Sequence, residues 1–337
     1  MDKVGRETLA CIDKYTGDVS MPNKMNKYIR QIQSLRKNFG LCVALKATFL
    51  RIVSFSSYEL YIYNYLRRFF DPVIVEFKNK NFCQKQVNNK RKIAWTMWWQ
   101  GEEEAPEIVK ICLKSQRIAF ADRCIEFVVL DKNNWMDYID LPCHIVKKVE
   151  SGMISLTHFS DILRAKLISE YGGLWIDATV LCTKPIPEGV LVSRDFFTVK
   201  AYEKSDALTL RRWTGFLIGD QKGSSLFSFM NNCFDYYWER NDALIAYLLI
   251  DYIIAIAYTE FRSVKTAIDS VPVNNQEIFT LLTKLNCKFD AVEWQRIVSD
   301  TAFIKLSYKE EFNGANLLEK TEDGDITYWG YIKTLYC

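Results

Sequence analysis

Apolar residues in the first ninety positions repeat with the spacing of a helix. Leu41, Leu45, Phe49, Ile52 and Val53 recur at intervals that place them on one side of a helix. The polar stretch at residues 79–92, NKNFCQKQVNNKRK, has no such repeat and has the composition of a linker. The sequence therefore predicts a helical, basic N-terminal region over residues 1–89 and a main domain over residues 90–337.

Beyond residue 90, short apolar runs alternate with helical patterns. Strands are predicted at residues 93–99, 125–130, 174–176, 196–199 and 216–218. Helices are predicted from Pro106 to about Phe120, from Ser160 to Gly172, and at residues 224–239, 242–258 and 275–285. Ser160 is taken as a helix N-cap, and Gly172 with Gly173 as the helix stop. This alternation predicts an α/β fold with a parallel or mixed sheet covered by helices.

The most apolar run is too short to cross a membrane. Residues 244–258, LIAYLLIDYIIAIAY, are interrupted by Asp251, and a spanning helix needs about 20 apolar residues. A buried helix is the better interpretation. Its carboxylate must find partners or become protonated. A hydrogen-bond acceptor in the core is favoured for Asp251 over a group that reaches an active site.

The N-terminus and the cysteines favour a cytoplasmic location. The first residues, MDKVGRETLACIDKYTGDV, lack the basic end and apolar stretch of a secretory signal. The ten cysteines are scattered without a Cys-x-x-Cys pair, which favours reduced thiols.

Positive charge is concentrated near the N-terminus although the net charge is only +3. Between Lys24 and Arg68 there are nine basic residues against the single acid Glu59. Basic groups interleaved with apolar helical positions suit an anionic membrane surface, such as the inner face of the plasma membrane. A solvated helical face without a partner is the alternative. Nucleic acid is not expected as a partner, because no recognised reading motif is present.

Residues 158–187, HFSDILRAKLISEYGGLWIDATVLCTKPIP, hold the most informative polar residues. Asp161 and Arg164 are three apart and share one helical face. Asp177 follows a short strand, and ligands of open α/β sheets bind at the carboxyl ends of strands. Such a carboxylate can present a divalent cation to a diphosphate. In a purely structural interpretation, Asp161 favours the helix N-terminus and pairs with Arg164, while Asp177 caps a turn.

Other chemistry finds less support in the sequence. The two histidines, His144 and His158, lack partners at zinc-like spacing. His158 precedes the Asp161 motif and either positions its helix or touches phosphate. A Gly-x-Ser-x-Gly motif, a P-loop and a dinucleotide fingerprint are all missing, which argues against hydrolases of that type, nucleotide triphosphatases and NAD enzymes.

Several separated blocks resemble the bacterial capsular polysaccharide synthesis proteins. That family is related to DXD-type glycosyltransferases, which include the initiating α-1,6-mannosyltransferase, and more distantly to the large clostridial glucosylating toxins. The matching blocks are residues 93–112 (IAWTMWWQGEEEAPEIVKIC), 127–131 (FVVLD), 158–187, 216–224 (FLIGDQKGS) and 248–258 (LLIDYIIAIAY). They follow one another in the family's order over most of the chain after residue 90.

The resemblance implies a GT-A-like fold, which is a Rossmann-like mixed sheet flanked by helices. It also implies transfer of a hexose-type sugar from a nucleotide-sugar donor, with UDP-sugars favoured over GDP-sugars, and with retention at the anomeric carbon. Mn²⁺ or Mg²⁺ is the implied cofactor. The implied acceptor is a growing oligosaccharide linked to polyprenyl diphosphate.

The resemblance also implies roles for individual residues. Asp161 and Arg164 match the positions that contact donor sugar and phosphate, and Trp175 and Asp177 match those just before and at the first Asp of DXD. In the implied reaction Asp177 and Arg164 stabilise the diphosphate leaving group, while Asp161 orients the sugar hydroxyls. His158 is a further donor-binding candidate.

Two features of the motif leave alternatives open. Either Trp98 or Trp99 matches the aromatic residue that stacks on the nucleobase. Thr179 stands where the second Asp of DXD is expected, and a hydroxyl is a weaker cation ligand than a carboxylate. In one alternative, Asp177 holds the metal with water and phosphate, and Thr179 is a weak ligand. In the other, Arg and Lys residues replace part of the role of the metal. A non-catalytic carbohydrate-binding scaffold and a basic nucleic-acid-binding protein are the rival functions.

Overall fold

The fold is α/β and GT-A-like, a five-stranded mixed sheet flanked by helices, as the sequence predicted. The computed structural model describes residues 21–80, 92–121, 123–186, 196–200, 208–209, 212–309 and 316–336. Within these ranges the chain forms 12 α-helices. None of the helices described is both long and apolar enough to cross a membrane.

Four helices form the described part of the N-terminal region, residues 21–80. They are α1 (Met21–Phe39), α2 (Leu41–Val53), α3 (Phe55–Phe69) and α4 (Asp71–Asn79). Ser54 separates α2 from α3 and caps α3, because its side chain accepts a hydrogen bond from the amide of Ser57. The predicted helical character is confirmed for residues 21–80. Residues 1–20 and 81–89 of the predicted region, with most of the predicted linker, lie outside the described residues, and the domain boundary at residue 90 stays a prediction.

Helices α3 and α4 share the core of the main domain. The ring of Phe77 in α4 lies 5.5 Å from that of Phe229 and 5.0 Å from that of Phe261. Glu260 accepts hydrogen bonds from Arg67 at 2.7 Å and from Lys78 at 2.6 Å. These contacts tie the N-terminal helices to the helices that follow the sheet.

The main sheet places three strand ends at one edge. Its strands are β1 (Ile93–Met97), β2 (Glu126–Leu130), β3 (Gly173–Ile176), β5 (Phe197–Thr198) and β6 (Leu217–Asp220), in the order β2-β1-β3-β6-β5. Strand β1 is parallel to β2 and β3, whereas β6 is antiparallel to β3 and β5. Met97 pairs with Leu130, and Trp95 pairs with Trp175. The carboxyl ends of β1, β2 and β3 therefore meet at the edge where open α/β sheets bind ligands.

A second sheet brings a distant part of the chain to the same edge. It consists of β4 (Val180–Cys182) and β7 (Phe303–Lys305), which are antiparallel, with Val180 opposite Lys305. The remaining helices are α5 (Glu107–Ala121), α6 (Cys143–Glu150), α7 (Leu156–Tyr171), α8 (Ser225–Arg240), α9 (Leu249–Glu260), α10 (Arg262–Ser270), α11 (Ala291–Asp300) and α12 (Tyr328–Tyr336).

The predicted double-glycine stop ends α7 and starts β3 in a close approach to β1. Gly172 and Gly173 have φ angles of 76° and 103°, in the left-handed region that favours glycine. A Cβ atom on Gly173 would lie 2.3 Å from the carbonyl oxygen of Ile93. Glycine at this position is therefore required by the packing of β3 on β1 as well as by the turn.

Two predicted helix starts are wrong. Helix α7 begins at Leu156, with Ser155 and not Ser160 as its N-cap; the Ser160 hydroxyl donates to the carbonyl of Thr157 instead. The helix predicted at residues 242–258 begins only at Leu249. Before it, the Tyr237 hydroxyl accepts a hydrogen bond from the amide of Ile245 and donates one to the carbonyl of Ala243. These two backbone groups are therefore bonded to the Tyr237 side chain and not within a longer helix.

The helix predicted at residues 275–285 is also wrong, because this segment is a series of turns. Its amides bond three residues back at alternate positions, as in Ile278 to Asn275. Asn275 has φ 49°, and its side-chain oxygen accepts from the amides of Ala302 and Phe303. The apolar spacing is helical, but the bond between Asn275 and the start of β7 sets a different backbone path.

Candidate active site

Helix α7 carries three polar side chains, His158, Asp161 and Arg164, at intervals of three residues. Residues with this spacing lie on one face of a helix. All three are buried, with 2%, 7% and 5% of their surfaces exposed. Because buried polar and charged groups must be paired to be tolerated, their contacts show how the site is built.

His158 lies between Trp238 and one oxygen of Asp161. The indole nitrogen of Trp238 donates to His158 Nε2 at 3.0 Å. The other ring nitrogen, Nδ1, lies 3.3 Å from Asp161 Oδ2, although it makes no hydrogen bond within the described ranges. Of the two roles left open for His158, positioning the helix and its carboxylate is the one these contacts favour.

Arg164 joins the helix to the end of the sheet. Its Nη2 lies 3.2 Å from Asp161 Oδ1 and 3.5 Å from Asp177 Oδ1. Its Nη1 donates to the carbonyl of Gly215, and its guanidinium lies 5.0 Å from the ring centre of Trp175. Several fixed partners hold the planar group in one orientation, which suits recognition of an oxyanion.

Asp177 lies directly after β3 and is the most exposed acid of this group, with 29% of its side chain accessible. Its Oδ1 accepts from the indole nitrogen of Trp175 at 3.0 Å, and its Oδ2 accepts from Lys305 at 2.9 Å. Burial raises the pKa of the Asp177 carboxyl, but the charges of Lys305 and Arg164 outweigh it and hold the pKa below its usual value. Asp177 is therefore a carboxylate at neutral pH.

Lys305 is a central part of the site that the sequence did not point to. It is the last residue of β7, and the pairing of β7 with β4 carries its side chain to the end of β3. Its Nζ donates to Asp177 Oδ2 at 2.9 Å and to Thr179 Oγ1 at 2.7 Å. The same nitrogen lies 5.0 Å from the ring centre of Phe216. Only 19% of the side chain is exposed.

Gln116 of α5 fixes the turn that presents Asp177 and Thr179. Its Nε2 donates to the carbonyl of Asp177 at 3.0 Å and to that of Val180 at 2.7 Å. The amide of Val180 also donates to the carbonyl of Asp177 at 3.0 Å. These hydrogen bonds hold the backbone of the turn in place and so fix the direction of the side chains of Asp177 and Thr179.

The two candidate tryptophans after β1 contact different parts of the fold. Trp98 packs edge-on against Tyr308, with ring centres 5.3 Å apart, and its indole nitrogen has no hydrogen-bond partner within the described ranges. Trp99 packs edge-on against Phe159 of α7 at 5.6 Å. Both rings are half-buried. Trp98 lies on the Tyr308 side and Trp99 on the α7 side, and both remain candidates for contact with the nucleobase.

Two residues near α9 also face this cluster. Tyr247 is 59% exposed and hydrogen-bonds Thr157; burial raises the pKa of its hydroxyl, and the charges of Asp161 and Asp177 add to the rise. Asp251 accepts from the indole nitrogen of a tryptophan, Trp213, at 3.0 Å. The pKa of the Asp251 carboxyl is raised to about 7, chiefly by burial; the charge of Asp161 contributes to the rise, whereas the hydrogen bond from Trp213 and the charge of Arg164 oppose it.

The side chains at the predicted metal position do not suit a divalent cation. Asp177 and Thr179 supply a single carboxylate and a hydroxyl, and the ammonium of Lys305 already lies between these two groups. Within the residues described, no cluster of three or more His, Cys, Asp or Glu side chains could hold a metal. Mg²⁺ and Mn²⁺ prefer several oxygen ligands, often anionic, so this donor set fits an ammonium better.

The structure gathers the predicted residues Asp161, Arg164 and Asp177 into one network, with His158 behind it. Trp175 is only 1% exposed, so it supports Asp177 and Arg164 from inside the sheet. The roles assigned to these residues in binding and catalysis stay predictions. Sequence reasoning missed Lys305 and Tyr247, because neither belongs to the local motif. The favoured interpretation of Asp251 as a hydrogen-bond acceptor in the core is confirmed by its bond from Trp213.

The fold and the strand-end cluster define the chain as a GT-A-like α/β protein with a paired-charge site. The chain belongs to the capsular polysaccharide synthesis protein family, whose model matches residues 48–321. The match begins within α2, so it includes much of the N-terminal helical region. No curated protein matches the chain. Membership of this family suggests a role in capsule biosynthesis.

Proposed function

We propose that the protein is a retaining glycosyltransferase that moves a hexose-type sugar from a nucleotide-sugar donor to a growing capsular or surface polysaccharide. The observation that carries the proposal is the position of Asp177, at the carboxyl end of β3 and between the cations Arg164 and Lys305. A nucleoside diphosphate leaving group needs fixed positive charge close to its oxygens. The half-buried rings of Trp98 and Trp99 offer surfaces for a nucleobase at the same edge.

In this proposal each charged residue has a distinct task. Arg164 and Lys305 stabilise the charge that develops on the departing diphosphate. Asp177 holds both cations in place, and Asp161 fixes Arg164 while orienting the sugar hydroxyls. Asp161 is only 7% exposed, so its contact with the sugar would be at the floor of the site. UDP-sugars are the favoured donors, by resemblance to the wider family.

The direct test is a binding and transfer panel. UDP, GDP and CDP should be added to the purified protein while thermal unfolding is followed, since a ligand that binds the native state raises the unfolding temperature. The matching nucleotide-sugars are then assayed for hydrolysis and transfer. Asp177→Asn should lose transfer while the protein stays folded, because the amide preserves the shape of the side chain but not its charge. Full turnover by folded Asp177→Asn would contradict the assignment.

We also propose that the enzyme docks on the inner face of the plasma membrane through the outer face of α2. This face consists of Leu41, Leu45, Phe49, Ile52 and Val53, which are 48%, 50%, 61%, 56% and 64% exposed. Lys46 and Arg51 lie exposed on the same helix. Contiguous apolar groups next to basic ones suit an anionic lipid surface, where each basic group contributes about 1 kcal/mol. A polyprenyl-linked acceptor would then be within reach.

A carbohydrate-binding scaffold without catalytic activity is the alternative function. It is favoured if nucleotides do not stabilise the protein while oligosaccharides do. Adding a set of oligosaccharides to the thermal-unfolding panel above therefore separates the two functions without knowledge of the natural acceptor.

A further inference from the structure

Lys305 occupies the position where a DXD-type site would hold its metal ion. Its Nζ lies 2.9 Å from Asp177 Oδ2 and 2.7 Å from Thr179 Oγ1. Asp177 and Thr179 are the first and third residues of the Asp-Ala-Thr motif, whose side chains would be the metal ligands in a DXD site. The ammonium therefore bridges the two side chains that a cation would have to bridge.

The surroundings hold this ammonium in place. Lys305 ends β7, which is paired with β4, and the amide of the next residue, Leu306, donates to the carbonyl of Thr179 at 2.9 Å. The side chain passes the ring of Phe216, 5.0 Å from Nζ to the ring centre. A lysine that is only 19% exposed is fixed by these contacts, so its charge is preorganised, as catalytic electrostatics requires.

The charges of the cluster support the same interpretation. Thr179 replaces a carboxylate, so Asp177 is the single anion that a bound cation at this position would neutralise. Lys305 and Arg164 lie 2.9 Å and 3.5 Å from the carboxylate oxygens of Asp177. A divalent ion bound to Asp177 would therefore lie close to both of these positive charges. Like charges at such distances repel strongly in a partly buried site. An ammonium has three N–H donors, and its two hydrogen bonds here leave one donor for a phosphate oxygen.

We propose that Lys305 takes the place of the divalent cation, so that this protein binds the diphosphate of its donor without a metal. The inference rests on the proposed function, because it concerns the donor site of that transferase. Lys305 and Arg164 together would contact the two phosphate groups from the β7 side and the α7 side. The Mn²⁺ or Mg²⁺ expected from the family resemblance is then not needed for donor binding.

The test measures binding of UDP, GDP and CDP to the full chain by titration calorimetry, in EDTA and in Mn²⁺. We expect at least one nucleotide to bind the wild-type protein equally well in both buffers. Lys305→Met should weaken that binding about 10- to 100-fold, the range expected for one lost charged hydrogen bond, and Mn²⁺ should not restore it. Lys305→Arg should retain most of the affinity.

Lys184→Met is the matched control. Lys184 follows β4, and its ammonium donates to the carbonyls of Val298 and Ser299, both at 3.0 Å, away from Asp177. This variant should bind nucleotide as the wild-type protein does. Thermal unfolding without nucleotide shows whether each variant is folded.

The outcomes separate this inference from the proposed function. Binding by the wild-type protein only in Mn²⁺, or unchanged affinity of folded Lys305→Met, would overturn the role of Lys305 and leave the transferase proposal standing. Binding of no nucleotide in either buffer would overturn both. The wild-type measurement decides the metal question even if Lys305→Met does not fold.

Discussion

Replacement of Arg164 by methionine should destabilise the fold as well as impair donor binding. The Arg164 side chain is 6% exposed, and its guanidinium lies next to both Asp161 and Asp177. Methionine fills most of the space of the aliphatic part of arginine, so the variant removes the charge and its hydrogen bonds and leaves little cavity. The carbonyl of Gly215 loses its side-chain donor at the same time.

The size of the effect follows from which partners remain. Loss of one member of a buried ion pair costs about 3–5 kcal/mol. In the variant, Asp177 still has Lys305 as a partner and is partly exposed. Asp161 has lost Arg164 and retains His158, whose Nδ1 lies 3.3 Å from Asp161 Oδ2. We therefore expect a loss of about 3–4 kcal/mol in the free energy of unfolding, a large part of the 5–15 kcal/mol typical of native proteins.

Urea unfolding followed by tryptophan fluorescence measures this loss, with Arg117→Met as the control. Arg117 donates to both carboxylate oxygens of Glu102, at 2.7 Å and 2.9 Å, but its side chain is 54% exposed. Removal of an exposed pair costs about 0–1 kcal/mol. Equal losses for the Arg164 and Arg117 variants would refute the idea that Arg164 balances a buried charge network.

Three further predictions concern the backbone, pH and the membrane. Gly173→Ala should lower the unfolding temperature far more than Gly324→Ala, because both glycines have positive φ but only the Cβ at 173 meets Ile93, at 2.3 Å. Asp251→Asn should flatten the dependence of stability on pH: burial raises the pKa of Asp251 to about 7, so the wild-type free energy of unfolding should fall by roughly 2–3 kcal/mol from pH 5 to pH 7.5. Phe49→Asp should weaken binding to anionic vesicles.

Each of these predictions has an outcome that would contradict it. Similar unfolding temperatures for the two glycine variants would show that β3 can move away from β1. The sign of the pH effect follows because the folded state binds more protons than the unfolded state between the ordinary pKa of Asp251 and its raised value; parallel pH profiles for wild type and Asp251→Asn would reject it. Equal binding of Phe49→Asp and wild type to vesicles in a low-salt buffer would remove α2 from the membrane contact.

Local motifs predicted one half of the site. The spacing of Asp161 and Arg164 placed them on one helical face, and the short strand after the double glycine placed Asp177 at a strand end. These relations extend over fewer than about twenty residues, a range in which helix and strand periods decide which side chains meet. The error at Ser160 arose because Ser155 is also a good N-cap, and the pattern of the segment did not distinguish them.

The other half of the site depends on contacts between distant segments. Lys305 lies 128 positions after Asp177 in the chain, and the triplet Phe303–Lys305 carries no motif of its own. Asp251 was interpreted as a core acceptor because its helix is apolar. Its electrostatic interaction with Asp161 and Arg164 follows only from the tertiary structure, in which α7 and α9 both pack against α8.

Local patterns were enough to predict the α/β alternation, the family and the carboxylate at the strand end, because each depends on local periodicity or on a contiguous block of residues. The contacts of that carboxylate depend on how distant strands pair. Antiparallel pairing of β7 with β4 delivers an ammonium to Asp177 and Thr179, and no local pattern records which strand will pair with which. The cation beside Asp177 could therefore not be predicted from the sequence. The charge that neutralises a partly buried carboxylate can come from any part of the chain that the fold brings within about 3 Å.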